Sequence, residues 1–365
     1  MEIISERLGL SENFLWHAYS LSRSGKGYTA FEIPKRSGGV RNIHKPVDKL
    51  FYVQSLIKCN ILDSAPSPPD CVTAFRKGFS IRDNALIHCK KVILVKFDLK
   101  DFFPSISFTR VKTIFEELGF HESDAKGLAY LTTIQTDSID NIFSESALVY
   151  FQQQRINNIT DEFINHIRSE ASQKRSAMHE GLDFGDLGWE ADCLLEEADR
   201  IDKERKIRPL KRRGLPQGAP TSPQLANLAA RRLDARLQGL AEHLGFQYTR
   251  YADDLTFSSN DTRAKTNVLR RLVELIVKDC GFTINPSKTS FMRAPATRQT
   301  TGLIVNDDRP RVRRSTIRRV RAMIHQERLG ILAQDQSVRL KGYLSFIKMV
   351  NADQAKKLEL GLLKK

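Results

Sequence analysis

No run of about eighteen consecutive apolar residues occurs anywhere in this chain, so no membrane-spanning helix is expected. Cysteine is scarce: Cys59, Cys71, Cys89, Cys193 and Cys280 are scattered, with no Cys-x-x-Cys pair and no His/Cys cluster at zinc spacing. That pattern excludes a disulfide scaffold and a zinc knuckle, and it fits a reducing, cytoplasmic setting. The N-terminal stretch is interrupted by Glu2, Glu6 and Arg7, which excludes a secretory signal of the usual kind. Internal repeats and low-complexity tracts are missing as well. Negative charge is the remaining deficit. Asp and Glu number 43 against 58 Lys and Arg, a formal net charge of +15 at pH 7. A surplus of this size points to a polyanionic partner, nucleic acid first.

What is present is a chain of 365 residues, 41% of them hydrophobic, which excludes disorder and suffices for two or three subdomains. Residues 1–30 read as a short helical lead-in. Residues 32–46 read as a hairpin turning at Ser37-Gly38-Gly39, and residues 47–63 as a helix that stops at a Pro-rich loop. A short helix over 80–91 precedes the apolar run Val92 to Val95, which reads as a buried central strand. A mostly helical region follows over about 107–212, and residues 160–210 of it hold 13 acids against 8 bases. Residues 213–245 form a turn-rich loop feeding a long helix, with Ser222 and Pro223 placed as N-cap and first helical residue. Two strands around an acidic turn follow over 246–259, then an amphipathic helix closed by Gly281. Residues 306–365 carry 15 Lys or Arg against 6 Asp or Glu, so nine of the net positive charges lie in the last sixth of the chain.

Two adjacent acids, Asp253 and Asp254, sit in that turn, in a chain otherwise short of negative charge. Phosphoryl transfer needs charge neutralisation and positioning, which two divalent ions about 3.5–4 Å apart supply. Hard cations require clustered oxygen ligands. Asp98, at the end of the predicted central strand, is the third acid that would complete such a site. Taken alone, an Asp-Asp pair is usually just a turn, because Asp favours turns; the combination with Asp98 and the basic chain gives it weight.

The residues that carry a resemblance are now in hand. Tyr251-Ala252-Asp253-Asp254 resembles the catalytic hairpin of reverse transcriptases, and residues 97–106, FDLKDFFPSI, their first palm motif. Residues 214–228, GLPQGAPTSPQLANL, are similar to the motif beneath the incoming nucleotide; GFTINPSKT (281–289) and TGLIVN (301–306) resemble the two that follow. The resemblance covers roughly residues 30–330. It implies an α+β, right-hand polymerase with fingers, palm and thumb, an antiparallel palm sheet and a mainly helical insertion. The implied divisions are 1–92 (N-terminal extension and fingers), 93–305 (palm, with the insertion at about 107–212) and 306–365 (a basic helical thumb). It implies two Mg²⁺ ions held by Asp98, Asp253, Asp254 and the Leu99 carbonyl. Lys35 and Arg41 would clamp a dNTP triphosphate, Gln217 and Gly218 would pack against the nucleotide with Gly218 allowing close approach, and Lys288 would assist at the leaving pyrophosphate. Asp101, Phe102 and Phe103 fall in the nucleotide-binding group. Phe103, five positions after Asp98, matches the gate that excludes a ribose 2′-OH, although either phenylalanine alone reads equally as core.

Asn84-Ala85-x-x-His88 looks like the NAxxH element of retron reverse transcriptases, and Thr301-Gly302 stands where that class has Val-Thr-Gly, with Thr300 replacing the Val. A histidine on a helix face is otherwise satisfied by a neighbour. The resemblance would place Asn84, His88, Thr301 and Gly302, with Arg311, Arg313, Arg314 and Arg318 of the thumb, against RNA or primer. It implies a cognate structured noncoding RNA, self-priming from a guanosine 2′-OH, a branched RNA–DNA hybrid (msDNA), a host RNase H, an effector protein and a role in antiphage defence. The acidic segment around 135–207 is expected to serve a partner protein or self-association rather than template. Three alternatives stay in view: a group II-like reverse transcriptase, an abortive-infection-type one, and an RNA-binding scaffold whose palm no longer reacts. A P-loop is excluded, since residues 22–29, SRSGKGYT, lack GxxxxGK[ST] spacing.

Overall fold

The computed structural model describes residues 1–34, 38–135, 168–173, 176, 195 and 213–363, with side chains as far as 360 in the last helix. Lys35 and most of the acidic segment around 135–207 lie outside the described residues. The chain divides into two compact units, Met1–Ile134 with Leu215–Lys365, and Gln135–Gly214.

The lead-in is two helices, α1 (Glu2–Leu8) and α2 (Glu12–Arg23), the second capped by the Ser11 hydroxyl accepting from the Phe14 amide. A hairpin follows, β1 (Tyr28–Pro34) with β2 (Val40–Pro46), which exposes most of its side chains. Helix α3 (Asp48–Asn60) leads to a loop and to α4 (Ile81–Ile87), whose start is fixed by a capping box between Ser80 and Asp83. Strand β3 (Ile93–Asp98) is the expected central strand. The short α5 (Phe102–Ser105) comes next, then α6 (Phe108–Glu117) and α7 (Glu122–Thr132).

After the second unit, α8 (Ser222–Ala229) and α9 (Arg231–His243) replace the single long helix expected, because the chain breaks at Ala230. The N-cap of α8 is Thr221, one residue earlier than expected; Ser222 is the first helical residue, and its hydroxyl donates to the Pro216 carbonyl at 2.7 Å. Strands β4 (Gln247–Tyr251) and β5 (Asp254–Ser259) form the acidic hairpin. Helix α10 (Thr266–Asp279) buries Leu269, Val273 and Val277 at i, i+4 and i+8, each burial stabilising by roughly 1.5–3 kcal/mol. It ends at Gly281, whose φ of 80° is the left-handed geometry glycine tolerates. Strand β6 (Ser290–Arg293) completes a four-stranded antiparallel sheet in the order β4-β5-β3-β6. The small hairpin β7 (Gln299–Thr300) and β8 (Leu303–Ile304) turns through Thr301 (φ 46°) and Gly302 (φ 81°), the double positive φ of a type I′ turn. Three helices follow, α11 (Arg314–Arg328) and α12 (Gln334–Val350), both with a surplus of basic residues, and α13 (Ala352–Leu363), in which two lysines balance two acids.

The sheet's two faces differ in kind, and strand periodicity dictates how. Ile93, Val95 and Phe97 of β3, Leu255 and Phe257 of β5 and Tyr248 of β4 enter the main core with Leu225, Leu233, Leu237, Leu269 and Val273 from the helices. The alternate residues make the second face. Leu94 joins Ala85, Leu303 and the terminal helices in a second core, but its neighbours Lys96, Thr249, Thr256 and Ser258 are polar. Helix α4 and the β7–β8 hairpin meet this polar face.

Candidate active site

Asp98, Asp253 and Asp254 arrive together because β3 and β5 are adjacent and antiparallel, with Asp98 directly opposite Asp254 at the end of the ladder. Asp253 occupies the two-residue turn beside Ala252, whose φ is 56°. The Leu99 amide donates to the Asp253 carbonyl at 2.9 Å, which ties the turn to the chain leaving β3. Burial raises the Asp253 carboxyl to about 6, and the charges of Asp254 and Asp98 push the same way. Two lysines offset this accumulation. Lys288 Nζ donates to both Asp98 oxygens at 2.9 and 3.0 Å, and Lys96 Nζ lies 3.5 Å from Asp254 Oδ1. The hydrogen bond to Asp98 raises the Lys288 ammonium above its ordinary value.

The donor set fits hard divalent cations: three carboxylates on one sheet end, one of them forced upward by burial and by the charges of the other two. As they stand, no three His, Cys, Asp or Glu side chains among the described residues converge to hold an ion. Lys288 pairs with Asp98 and Lys96 faces Asp254.

Arg250 holds the hairpin in place and was not marked by its sequence. It is completely buried, as is its partner Asp234 of α9; Nε and Nη2 donate to the two carboxylate oxygens, both at 2.7 Å. Its Nη1 reaches Asn227 Oδ1 and the Ala252 carbonyl, both at 3.2 Å. The Tyr248 hydroxyl completes the shell of Asp234 at 3.1 Å. The Arg250 backbone also binds the 71–73 loop, donating to the Cys71 carbonyl at 2.8 Å and accepting from Thr73 at 3.1 Å. A buried arginine is rare unless paired. Nothing in a sequence marks Asp234, sixteen positions earlier on a helix, as that pair.

Phe102 is core: it packs on Phe282 and lies beneath the Arg250 guanidinium, 5.7 Å from it. Phe103 is only half-buried, and Asp101 is exposed with φ 48°. Arg41 projects from β2 into solvent. Gln217 accepts from the His44 amide at 2.8 Å through its carbonyl. Gly218 does permit a close approach, but to the β1–β2 hairpin: a Cβ there would meet Ile43 Cγ2 at 2.8 Å and the His44 carbonyl at 3.2 Å.

Asn84 and His88 require correction. Both are fully buried, so neither side chain can touch RNA or primer in this structure. His88 bonds Ser258 Oγ and Thr249 Oγ1, each at 2.7 Å, and burial drives its imidazole down to about 3, with Lys91 adding to the effect. Asn84 accepts from Thr73 at 2.9 Å and donates to Thr300, whose hydroxyl lies 3.0 Å from that of Thr256. The two residues thus close the polar face of the sheet. Thr300, in place of Val, belongs to the same chain of hydroxyls. Thr301 donates to the Ile81 carbonyl at 3.2 Å, and Gly302 is exposed at the hairpin tip. Arg311, Arg313, Arg314 and Arg318 are all exposed; Arg311 pairs with Asp307 and Arg313 with Gln299.

Residues 165–337 match the family model described as reverse transcriptase (RNA-dependent DNA polymerase). Over 367 residues the chain is 33% identical to the retron Mx65 reverse transcriptase of Myxococcus xanthus, covering 98% of this chain and 70% of that protein. It belongs to the retron reverse transcriptases. Other relatives are the retron Mx162 enzyme of the same organism, 32% identical over 96% of this chain and 64% of that protein, and the Escherichia coli retron Ec86 enzyme, 28% identical over 87% and 74%. This is a family of RNA-directed DNA polymerases with the right-hand fold, to which the mixed helices and antiparallel sheet conform, and it generally uses divalent metal ions. No helix among the described residues is long and apolar enough to cross a membrane.

Proposed function

We propose that this retron reverse transcriptase copies a cognate structured noncoding RNA, self-primed from a guanosine 2′-OH, into a branched RNA–DNA hybrid, msDNA, that serves antiphage defence. The observation that carries the catalytic part is Asp98 facing Asp254 across adjacent strands, with Asp253 in the turn. In this reading residues 1–92 are the N-terminal extension and fingers, 93–305 the palm and 306–365 the thumb. The partners are dNTPs, the RNA and its hybrid product, a host RNase H and an effector protein, in the cytoplasm.

Two Mg²⁺ ions, held by Asp98, Asp253, Asp254 and the Leu99 carbonyl, would neutralise the triphosphate and ease ionisation of the primer hydroxyl. The primer oxygen attacks the α-phosphorus in line; the new P–O bond forms as the bond to pyrophosphate breaks. Lys288, freed from Asp98, carries positive charge toward the leaving pyrophosphate, and Arg41 with Lys35 grips the triphosphate. Phe103 excludes a ribose 2′-OH. Arg314 and Arg318 meet phosphates of the RNA duplex, whose deep A-form groove hides its base edges.

Primer extension with Mg²⁺ is expected to vanish in Asp253→Asn and Asp254→Asn while RNA binding persists; full activity in the double variant would overturn the mechanism. Nucleic acid copurifying with the protein should be RNA joined to DNA. Recovery of RNA with no joined DNA from cells carrying the native flanking region would instead favour the group II-like or abortive-infection alternative.

A further inference from the structure

Phe75 holds a backbone conformation that its side chain should avoid. Its φ is 57°, in the left-handed region where a bulky residue is a genuine outlier, and such strain persists only where the surroundings enforce it. The surroundings here are rigid. Val72 bridges to Arg250, the Thr73 amide donates to the Arg250 carbonyl at 3.1 Å, and Asn227 Nδ2 donates to the Ala74 carbonyl at 3.0 Å. The residue that fixes the Ala252 turn therefore also fixes the loop presenting Phe75. Core packing does not explain the ring, which is 42% exposed and belongs to neither buried cluster. Its aromatic neighbour is Phe103, with ring centroids 5.9 Å apart and planes tilted by 51°. Phe103 in turn lies 5.6 Å from Phe102, which is held by Phe282 and Arg250. Phe103 thus has an aromatic contact with each of the other two rings, Phe102 and Phe75.

We propose that Phe75 is a positioning residue that sets the choice between deoxyribo- and ribonucleoside triphosphates by confining the Phe103 ring. The inference rests on the reading of Phe103 as the gate against a ribose 2′-OH. A gate of this kind discriminates only if its ring cannot rotate away, because a displacement of about an ångström is enough to admit one hydroxyl. The contacts with Phe102 and with Phe75 are what restrain the ring. The strain at φ 57° is the cost of presenting a ring where a glycine would sit more comfortably.

The test is single-nucleotide incorporation by the full chain, comparing kcat/KM for a dNTP and its rNTP in Phe75→Leu, Phe75→Tyr, Phe103→Val and the double variant. Phe103→Val should lower discrimination by on the order of 10–200-fold. Phe75→Leu should lower it by roughly fivefold or more through a rise in rNTP use, with dNTP kcat/KM nearly unchanged and the thermal midpoint preserved. Phe75→Tyr, which keeps the ring, should retain wild-type discrimination, and Phe75→Leu added to Phe103→Val should have no further effect. A Phe75→Leu ratio within about twofold of wild type, beside a relaxed Phe103→Val, overturns the inference and leaves the gate standing. So does an additive double variant. Unchanged discrimination in Phe103→Val overturns the gate and this inference with it.

Discussion

Arg250 and Asp234 carry opposite charges into a place closed to water, and the pair holds because every donor and acceptor around it is used. Removing one partner strands the other. Asp234→Ala should therefore cost about 3–5 kcal/mol in urea unfolding, whereas Asp253→Asn should leave the midpoint near wild type. A cost below about 1 kcal/mol for Asp234→Ala would mean the pair is not buried as described. His88 gives a pH-dependent counterpart. Its imidazole falls from an ordinary 6.5 to about 3 in the folded chain, chiefly through burial. Below pH 6.5 the unfolded chain takes up a proton that the folded one refuses, so stability drops as pH falls toward 3, by up to about 1.4 kcal/mol per unit. Thermal midpoints measured from pH 7 to 4 should fall more steeply for wild type than for His88→Gln. Parallel profiles would refute the assignment.

At the scale of elements, the loop Pro216–Gly218 and the β1–β2 hairpin are fitted to each other through Gly218 and His44. Gly218→Ala adds a methyl 2.8 Å from Ile43 Cγ2 at a φ of 121°, so the loop must withdraw. Steady-state kinetics should show the KM for dNTP raised about tenfold or more, with Ala219→Gly as the mild control. Elements like these were largely readable in advance. Strand β3, the acidic hairpin and α10 declare themselves through apolar run, turn and period, since their environment depends on side chains a few positions apart. The break at Ala230 did not, because no glycine or proline marks it in the sequence. The Asn84/His88 element misled for a related reason. A motif reports that residues matter together, not whether they face solvent or, as here, the buried hydroxyls of Thr249, Ser258 and Thr300 on strands and of Thr73 in a loop.

On the scale of the whole molecule, positive charge is concentrated in residues 306–365, and the exposed Arg314 and Arg318 of α11 pair with no acid among the described residues. If they meet RNA phosphates, replacing both with Ala should flatten the dependence of log K on log salt by about one per lost contact, read by filter binding. An unchanged slope would place the RNA elsewhere. The clustered acids were legible because few chemistries need such a cluster, while the scaffold that holds their hairpin, Arg250 with Asp234 and Asn227, is spread over three elements and has no local signature. Strand β3 has a further consequence, which concerns how the protein is made. Both of its hydrogen-bonding partners, β5 and β6, lie far downstream. A ribosome adding about 5–20 residues per second leaves the apolar segment Ile93–Phe97 with two open edges for roughly ten to thirty seconds. Newly synthesised chains in that interval are natural clients for chaperones, and slower, cooler expression should favour soluble protein by lowering the number of such half-made sheets that meet one another.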